Sequence, residues 1–174
     1  STYKRIISLL MVTKFTAEAL NRVRSLITKE IKSQLTRNKL KATGNLIKSV
    51  SGVVYKKGDI TTLEILSAPY FNQVDKGTKP RKKLPNISAI RAWAKAKGLN
   101  PRQKGDSEDD MVYRIAKRIR DFGTIKRFGN LGPAGPRIID FIDKKYKDRI
   151  TKEISEGYLK DLEVELDKNI KWVR

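Results

Sequence analysis

The sequence predicts an α+β fold: a small antiparallel sheet, a long helix before it, several short helices after it, and a long helix at the end. Three observations predict it. Apolar residues recur at helical spacing from Phe15 to Leu35. Two β-branched, loosely alternating runs at 49–55 and 60–66 follow, joined by a short glycine-containing link. Then come further helical stripes, the last of which starts after Pro136 and places an apolar or aromatic residue at every fourth position.

Residues 3–12 are rich in Ile, Leu and Val and read as an edge strand or a swapped arm. Lys4-Arg5 before that apolar run imitates a signal peptide, but the run is minimal and no small-residue cleavage site follows it. A hydroxyl from Thr13 or Thr16 is expected to cap the first helix by accepting from its free N–H groups. That helix carries Phe15, Ala19, Val23, Leu26, Ile27, Ile31 and Leu35 on one face, and Lys29, Glu30, Lys32 and Arg37 elsewhere. It is expected to end between Asn38 and Lys41. Thr43-Gly44-Asn45 breaks the pattern, and Leu46-Ile47 gives one helical turn. The hairpin turn is expected at Lys56-Lys57-Gly58-Asp59, and Gly52 inside the first strand marks a bulge or a close neighbour.

The stretch 67–83 joins this hairpin to the helical second half. Ser67-Ala68-Pro69 ends a strand, Tyr70, Phe71 and Val74 give one apolar side of a short helix, and Gly77 suits the position just past its end. Pro85-Asn86 opens a helix with Ile87, Ile90, Trp93 and Ala94 on one side and Gly98 as its stop. Ser107 and Asp110 have capping-box spacing before Met111, Val112, Ile115, Ala116, Ile119 and Phe122, and Gly123 ends that helix. Pro136 fits the first turn of the last helix. Strict i+4 spacing drifts about 40° per step, so the last stripe winds round its helix. Either the helix breaks at Gly157 or different neighbours cover its two halves, as copies of the same chain would.

Charge is the outlier of the composition: 39 Lys+Arg stand against 19 Asp+Glu, giving +20 and a pI near 10.2. Such a balance favours nucleic acid or an acidic protein as neighbour. The absence of Cys excludes disulfides and thiolate metal sites, and the absence of His removes the commonest general base and zinc ligand. No nucleophile is paired with a base at readable spacing, so the chain is not expected to be an enzyme and implies no cofactor and no metal. No run approaches the ~18 apolar residues of a membrane span. The densest cationic loop is Lys79, Arg81, Lys82 and Lys83, and Arg114 and Arg118 belong to the polar side of the 110–122 helix. These suit DNA phosphates or an acidic partner, and equally a solvated basic surface. Tyr70, Phe71 and Val74 are expected in the core or between subunits. Glu108, Asp109 and Asp110 read as helix-capping carboxylates rather than ligands of a hard cation, although a metal-dependent nuclease built on Asp106, Glu108 and Asp110 is a third reading. Gly129 to Gly135 lacks the Gly-Lys-Ser/Thr ending of a phosphate cradle.

Three segments in order carry a family pattern: Leu-x-x-Thr-Gly-Asn-Leu-x-x-Ser-Val at 40–50, Ala-Pro-Tyr-Phe-x-x-Val-Asp-x-Gly-Thr at 68–78, and Leu-Pro-x-Ile-x-x-Ile-x-x-Trp-Ala-x-x-Lys-Gly-Leu at 84–99. The pattern resembles the tail-component, or tail-completion, family of tailed bacteriophages, whose members sit in the neck joining head to tail. Phe71 stands where that family has a small residue, and Asp75 where it has Glu. The matching motifs cover about 40–135 and do not extend to the last helix. The resemblance implies a non-enzymatic virion protein assembled in the host cytoplasm. It implies a homo-oligomeric ring of sixfold or twelvefold symmetry around the DNA channel, next to other neck, portal or tail proteins and away from membranes. Tyr70, Phe71, Val74, Gly77, Thr78 and Trp93 then belong to the core or the subunit interface. The expected organisation is an arm or edge strand over 1–14, a tail-completion-like α+β domain over 15–135 and a helical extension over 136–174. A free, basic nucleic-acid-binding protein is the alternative.

Overall fold

A computed structural model describes residues 6–10, 14–40, 43–58, 60–101, 105–124 and 136–169. The architecture is α+β. Strand β1 (Ile6–Leu10) and helix α1 (Lys14–Arg37) are followed by α2 (Asn45–Ser49), β2 (Ser51–Lys57), β3 (Ile60–Leu66), α3 (Phe71–Lys76), α4 (Ile87–Ala96), α5 (Glu108–Phe122) and α6 (Ile138–Asn169). The described residues group into two compact units. Unit 1 draws on 1–34, 49–69 and 139–174, and unit 2 on 35–48 and 70–138. These units do not follow the 15–135 and 136–174 division read from the sequence, because most of the last helix shares its unit with α1 and the sheet.

In unit 1 the strands run in the order β1-β3-β2, all antiparallel. The N-terminal apolar run forms an edge strand, with Ile6 opposite Glu64 and Leu10 opposite Ile60. β2 and β3 pair from Ser51↔Leu66 to Lys57↔Ile60, so the strand continues two residues further than the expected Lys56-Lys57 turn allowed. Gly58 turns the chain at φ 62. The register is unbroken through Gly52, so no bulge forms there. Gly52 instead makes room for α1: a Cβ at this position would lie 2.6 Å from Arg24 Cγ.

The core of unit 1 joins α1, the sheet and α6. Leu20, Val23, Leu63 and Ile154 are buried, with Ile27, Val54, Ile65 and Ile150 packed round them. Leu63 and Ile65 are two residues apart on one face of β3, and Val54 is the cross-strand partner of Leu63. Burial of each such side chain contributes about 1.5–3 kcal/mol. Central β3 is covered on both faces, with Thr61, Thr62, Leu63 and Glu64 all buried. β2 alternates: Val53 and Tyr55 face solvent.

Helix α6 is continuous through Gly157, so of the two alternatives left open by the sequence the break is not the one that occurs. It runs antiparallel to α1: Asp161 meets Phe15 and Thr16, Gly157 meets Phe15 and Ala19, Glu153 pairs with Arg22 at 2.7 Å, and the Tyr146 hydroxyl donates to Glu30 at 2.9 Å. At Gly157 the two helices approach closely. A Cβ there would lie 2.8 Å from the Phe15 carbonyl oxygen and 2.9 Å from Ala19 Cβ. The buried line steps from Ile154 to Gly157 to Asp161, an i+3 step that cancels the drift of the i+4 stripe. Leu166, on the extrapolated stripe, is accordingly exposed.

The start of α1 also departs from expectation. Thr13 lies outside the described residues. Thr16 does not accept from the helix; its hydroxyl donates to Asp161 Oδ2 at 2.7 Å, and the N–H groups of Phe15 and Thr16 donate to the same carboxylate at 3.0 and 2.8 Å. α6 begins at Ile138, so Pro136 precedes its first turn rather than lying in it.

Gly157→Val is expected to lower stability by about 1–3 kcal/mol in urea denaturation, because the side chain meets backbone that cannot swing aside. Helix propensity alone predicts a small gain of a few tenths of a kcal/mol, so a neutral or stabilising result contradicts the close-approach account.

Candidate functional site

The stretch after the hairpin is fastened at each end. The Ala68 N–H donates to the Ser49 hydroxyl at 2.9 Å in unit 1. In unit 2, α3 opens with Tyr70 at its N-cap position, without a side-chain cap. Tyr70 is 43% exposed, Phe71 is buried and Val74 is half-buried, so the expected apolar side reduces to Phe71 and Val74 within one copy.

Asp75, Gly77 and Thr78 form a joint. Asp75 is buried; its carbonyl accepts from the Arg137 N–H at 3.0 Å and its carboxylate accepts from the Ile138 N–H. An acidic group at the first free amide of α6 suits the positive end of that helix. Gly77 sits at φ 73, ψ 177, a conformation that essentially only glycine holds without strain. Thr78 and Thr124 then grip each other. The Thr78 N–H donates to the Thr124 hydroxyl at 2.7 Å, the two hydroxyls lie 3.2 Å apart, and the Thr124 N–H donates to the Thr78 carbonyl at 2.9 Å. Gly123 allows this contact, since a Cβ there would lie 2.1 Å from the Thr78 oxygen. Residues 75–78 thereby hold the chain on both sides of 125–135, which lies outside the described residues together with the glycine-rich run 129–135.

The basic loop follows directly. Lys79, Arg81, Lys82 and Lys83 are all exposed and form no ion pair among the described residues. The loop backbone is fixed where the Arg81 N–H donates to the Arg120 carbonyl at 2.9 Å, beside the end of α5. Arg118 on α5 is exposed as well. Arg114 is not available in the same way: its guanidinium makes a two-pronged pair with Asp106, one prong at 2.9 Å. Arg120 pairs with Asp121 at 2.6 Å.

α4 and α5 pack through Ala94, Met111 and Val112, flanked by Ile87, Ile90, Trp93 and Ile115. Asn86 caps α4 by accepting from the Ala89 N–H at 3.1 Å, and Ser107 with Asp110 makes the capping box read from the sequence. Trp93 is half-buried against this core and also walls a groove of about 550 Å³ with Ile115, Ile119, Phe122 and Arg118. Phe122, expected on the apolar stripe of α5, is 52% exposed at the edge of that groove.

The acidic cluster is committed to local structure. Asp106 holds Arg114, Asp109 holds Arg91 at 2.6 Å, and Asp110 accepts from Ser107. Hydrogen bonds from the Ser107 hydroxyl and from its backbone N–H keep the Asp110 carboxyl below the usual carboxylate range, with Arg114 adding to the effect. Among the described residues no group of acidic side chains is arranged to hold a metal ion, and no helix is long and apolar enough to cross a membrane.

Two site-forming features escape sequence reasoning: the α4–α5 groove, and the capping carboxylates Asp75 and Asp161. The usable signal for Asp161 was its place seven residues after Ile154 and four after Gly157, on the buried line of α6. No family model, curated protein or solved structure matches this chain.

Because the folded pKa of Asp110 is depressed, its ionised form stabilises the fold above the unfolded carboxylate pKa, and that contribution is lost as pH falls through the folded value. Ser107→Ala is expected to return the Asp110 titration, followed by carboxyl NMR, towards the ordinary aspartate value. An unchanged titration contradicts the capping-box assignment.

Proposed function

We propose that this chain is a structural subunit that assembles into a ring in the neck or tail of a tailed bacteriophage, where head joins tail around the DNA channel. The ordered motifs at 40–50, 68–78 and 84–99 are its foundation. The observation that carries it is the work those motif residues do. Asp75 caps α6, Gly77 holds a positive-φ turn that a side chain would strain and Thr78 clasps Thr124, so the resemblance falls on positions of demanding geometry rather than on replaceable surface. Trp93, from the third motif, packs on the α4–α5 core.

Two further features support assembly. Val53, Tyr55, Phe122, Leu159 and Leu166 are each at least about a third exposed in a single copy, which leaves apolar surface for neighbours to cover. The charge of +20 and the open cations of the 79–83 loop suit a place beside DNA. The proposed role is architectural and non-catalytic, within the virion, in a ring of six or twelve copies that contacts other neck, portal or tail proteins.

A second reading, a free nucleic-acid-binding protein, is favoured by Lys79, Arg81, Lys82 and Lys83, which lie together on a surface loop. One mass measurement with and without duplex DNA separates the two. The ring reading predicts a closed oligomer of the purified protein and its presence in the necks of particles. A strict monomer that binds duplex DNA, with affinity falling steeply as salt rises, selects the second reading. A monomer indifferent to DNA contradicts both.

A further inference from the structure

Helix α6 carries its charge unevenly. Between 153 and 167 it holds Glu153, Glu156, Asp161, Glu163, Glu165 and Asp167 against Lys160 alone, in a chain whose net charge is +20. The same stretch presents an unpartnered apolar line. Leu159 and Leu166 are 56% and 55% exposed, with Leu162 half-buried between them. Their i, i+3, i+7 spacing sets the three leucines on one face, the anchor pattern of a helix that lies in a groove. At about 100° per residue, Glu163 and Asp167 fall along one flank of that line, and both are exposed.

Unit 2 offers the complementary surface. The α4–α5 groove is walled by Trp93, Ile115, Ile119 and Phe122, and Arg118 stands exposed at its edge without an ion pair among the described residues. Apolar walls with a cation on the rim match a leucine line with carboxylates on its flank.

We propose that the leucine face of the acidic half of α6 in one copy docks into the α4–α5 groove of a second copy. The partner is this chain itself because the chain supplies both halves of the match. The contact joins two different surfaces, so each copy retains one free groove and one free helix face, and the assembly grows head to tail until it closes. The proposal names the subunit interface of the ring reading and rests on that reading.

Complementary variants test it. Leu159→Asp with Leu166→Asp spoils the helix face, and Phe122→Asp spoils the groove. Each variant is expected to keep its helical circular dichroism and to self-associate at least about tenfold more weakly than the unaltered chain. Mixing the two is expected to give a two-copy species that grows no further, because one variant retains a sound groove and the other a sound helix face. The chain has no cysteine, so a second measurement is clean: Leu159→Cys and Phe122→Cys chains, mixed and oxidised, are expected to form a mixed disulfide of twice the mass. If a charged variant loses its helix, this cysteine pair decides. Variants that assemble like the unaltered chain, or cysteine chains that do not cross-link, overturn this interface and leave the ring reading standing. An unaltered chain that stays monomeric overturns the ring reading and the interface with it.

Discussion

Asp161 sets a buried carboxylate against the first amides of α1, 145 residues earlier in the chain. Those amides have no partner within their own helix, and a buried carboxylate without donors is costly, so each group meets the other's need. With the Thr16 hydroxyl as a third donor, the contact has a defined position along both helices. That position fixes the register in which α6 runs back along α1. One turn further along, Gly157 comes against the Phe15 and Ala19 backbone and side chain, then Ile154 reaches Leu20 and Val23, then Glu153 reaches Arg22, and at the far end Tyr146 reaches Glu30. In that register Leu20, Val23 and Ile154 close on Leu63 as one apolar layer.

Unit 2 uses the same chemistry at a different joint. Asp75 caps the first amide of α6, and Thr78 clasps Thr124 at the end of α5. The basic loop follows, its backbone tied to Arg120. The joint and this bond hold the backbone of the loop in place at Thr78 and Arg81. Among the described residues, apolar surface is exposed at Val53 and Tyr55 on β2, in the α4–α5 groove and on the leucine face of α6, among other places.

Much of the fold was legible because apolar spacing reports one face of each element. The α1 stripe, the β2–β3 hairpin apart from its shorter turn, the single turn at Leu46-Ile47, the Ser107 capping box and the stops at Gly98 and Gly123 all sit where the sequence places them. What the sequence left open or hid depended on partners outside the local apolar spacing. Gly157 reads as the place where the last helix would break if it broke, because glycine is a poor helix former by about 1 kcal/mol, and the passing backbone of Phe15 explains its presence in a continuous helix. Asp161 reads as one more charge on a mixed surface until the amides it accepts from are in view. Arg114 reads as an open cation, yet a loop aspartate eight residues away claims it. The motif at 68–78 was visible as a pattern, but the reason for its Asp, Gly and Thr lies at 123–138, which no local rule connects to it.

The account stands on Asp161 holding the start of α1, and equilibrium urea denaturation of Asp161→Ala tests that most directly. Loss of the cap and exposure of three unmet donors in a buried site predict a fall of about 2–3 kcal/mol with an unchanged denaturant slope. A fall within about 0.5 kcal/mol, the range of an ordinary surface substitution, would contradict it.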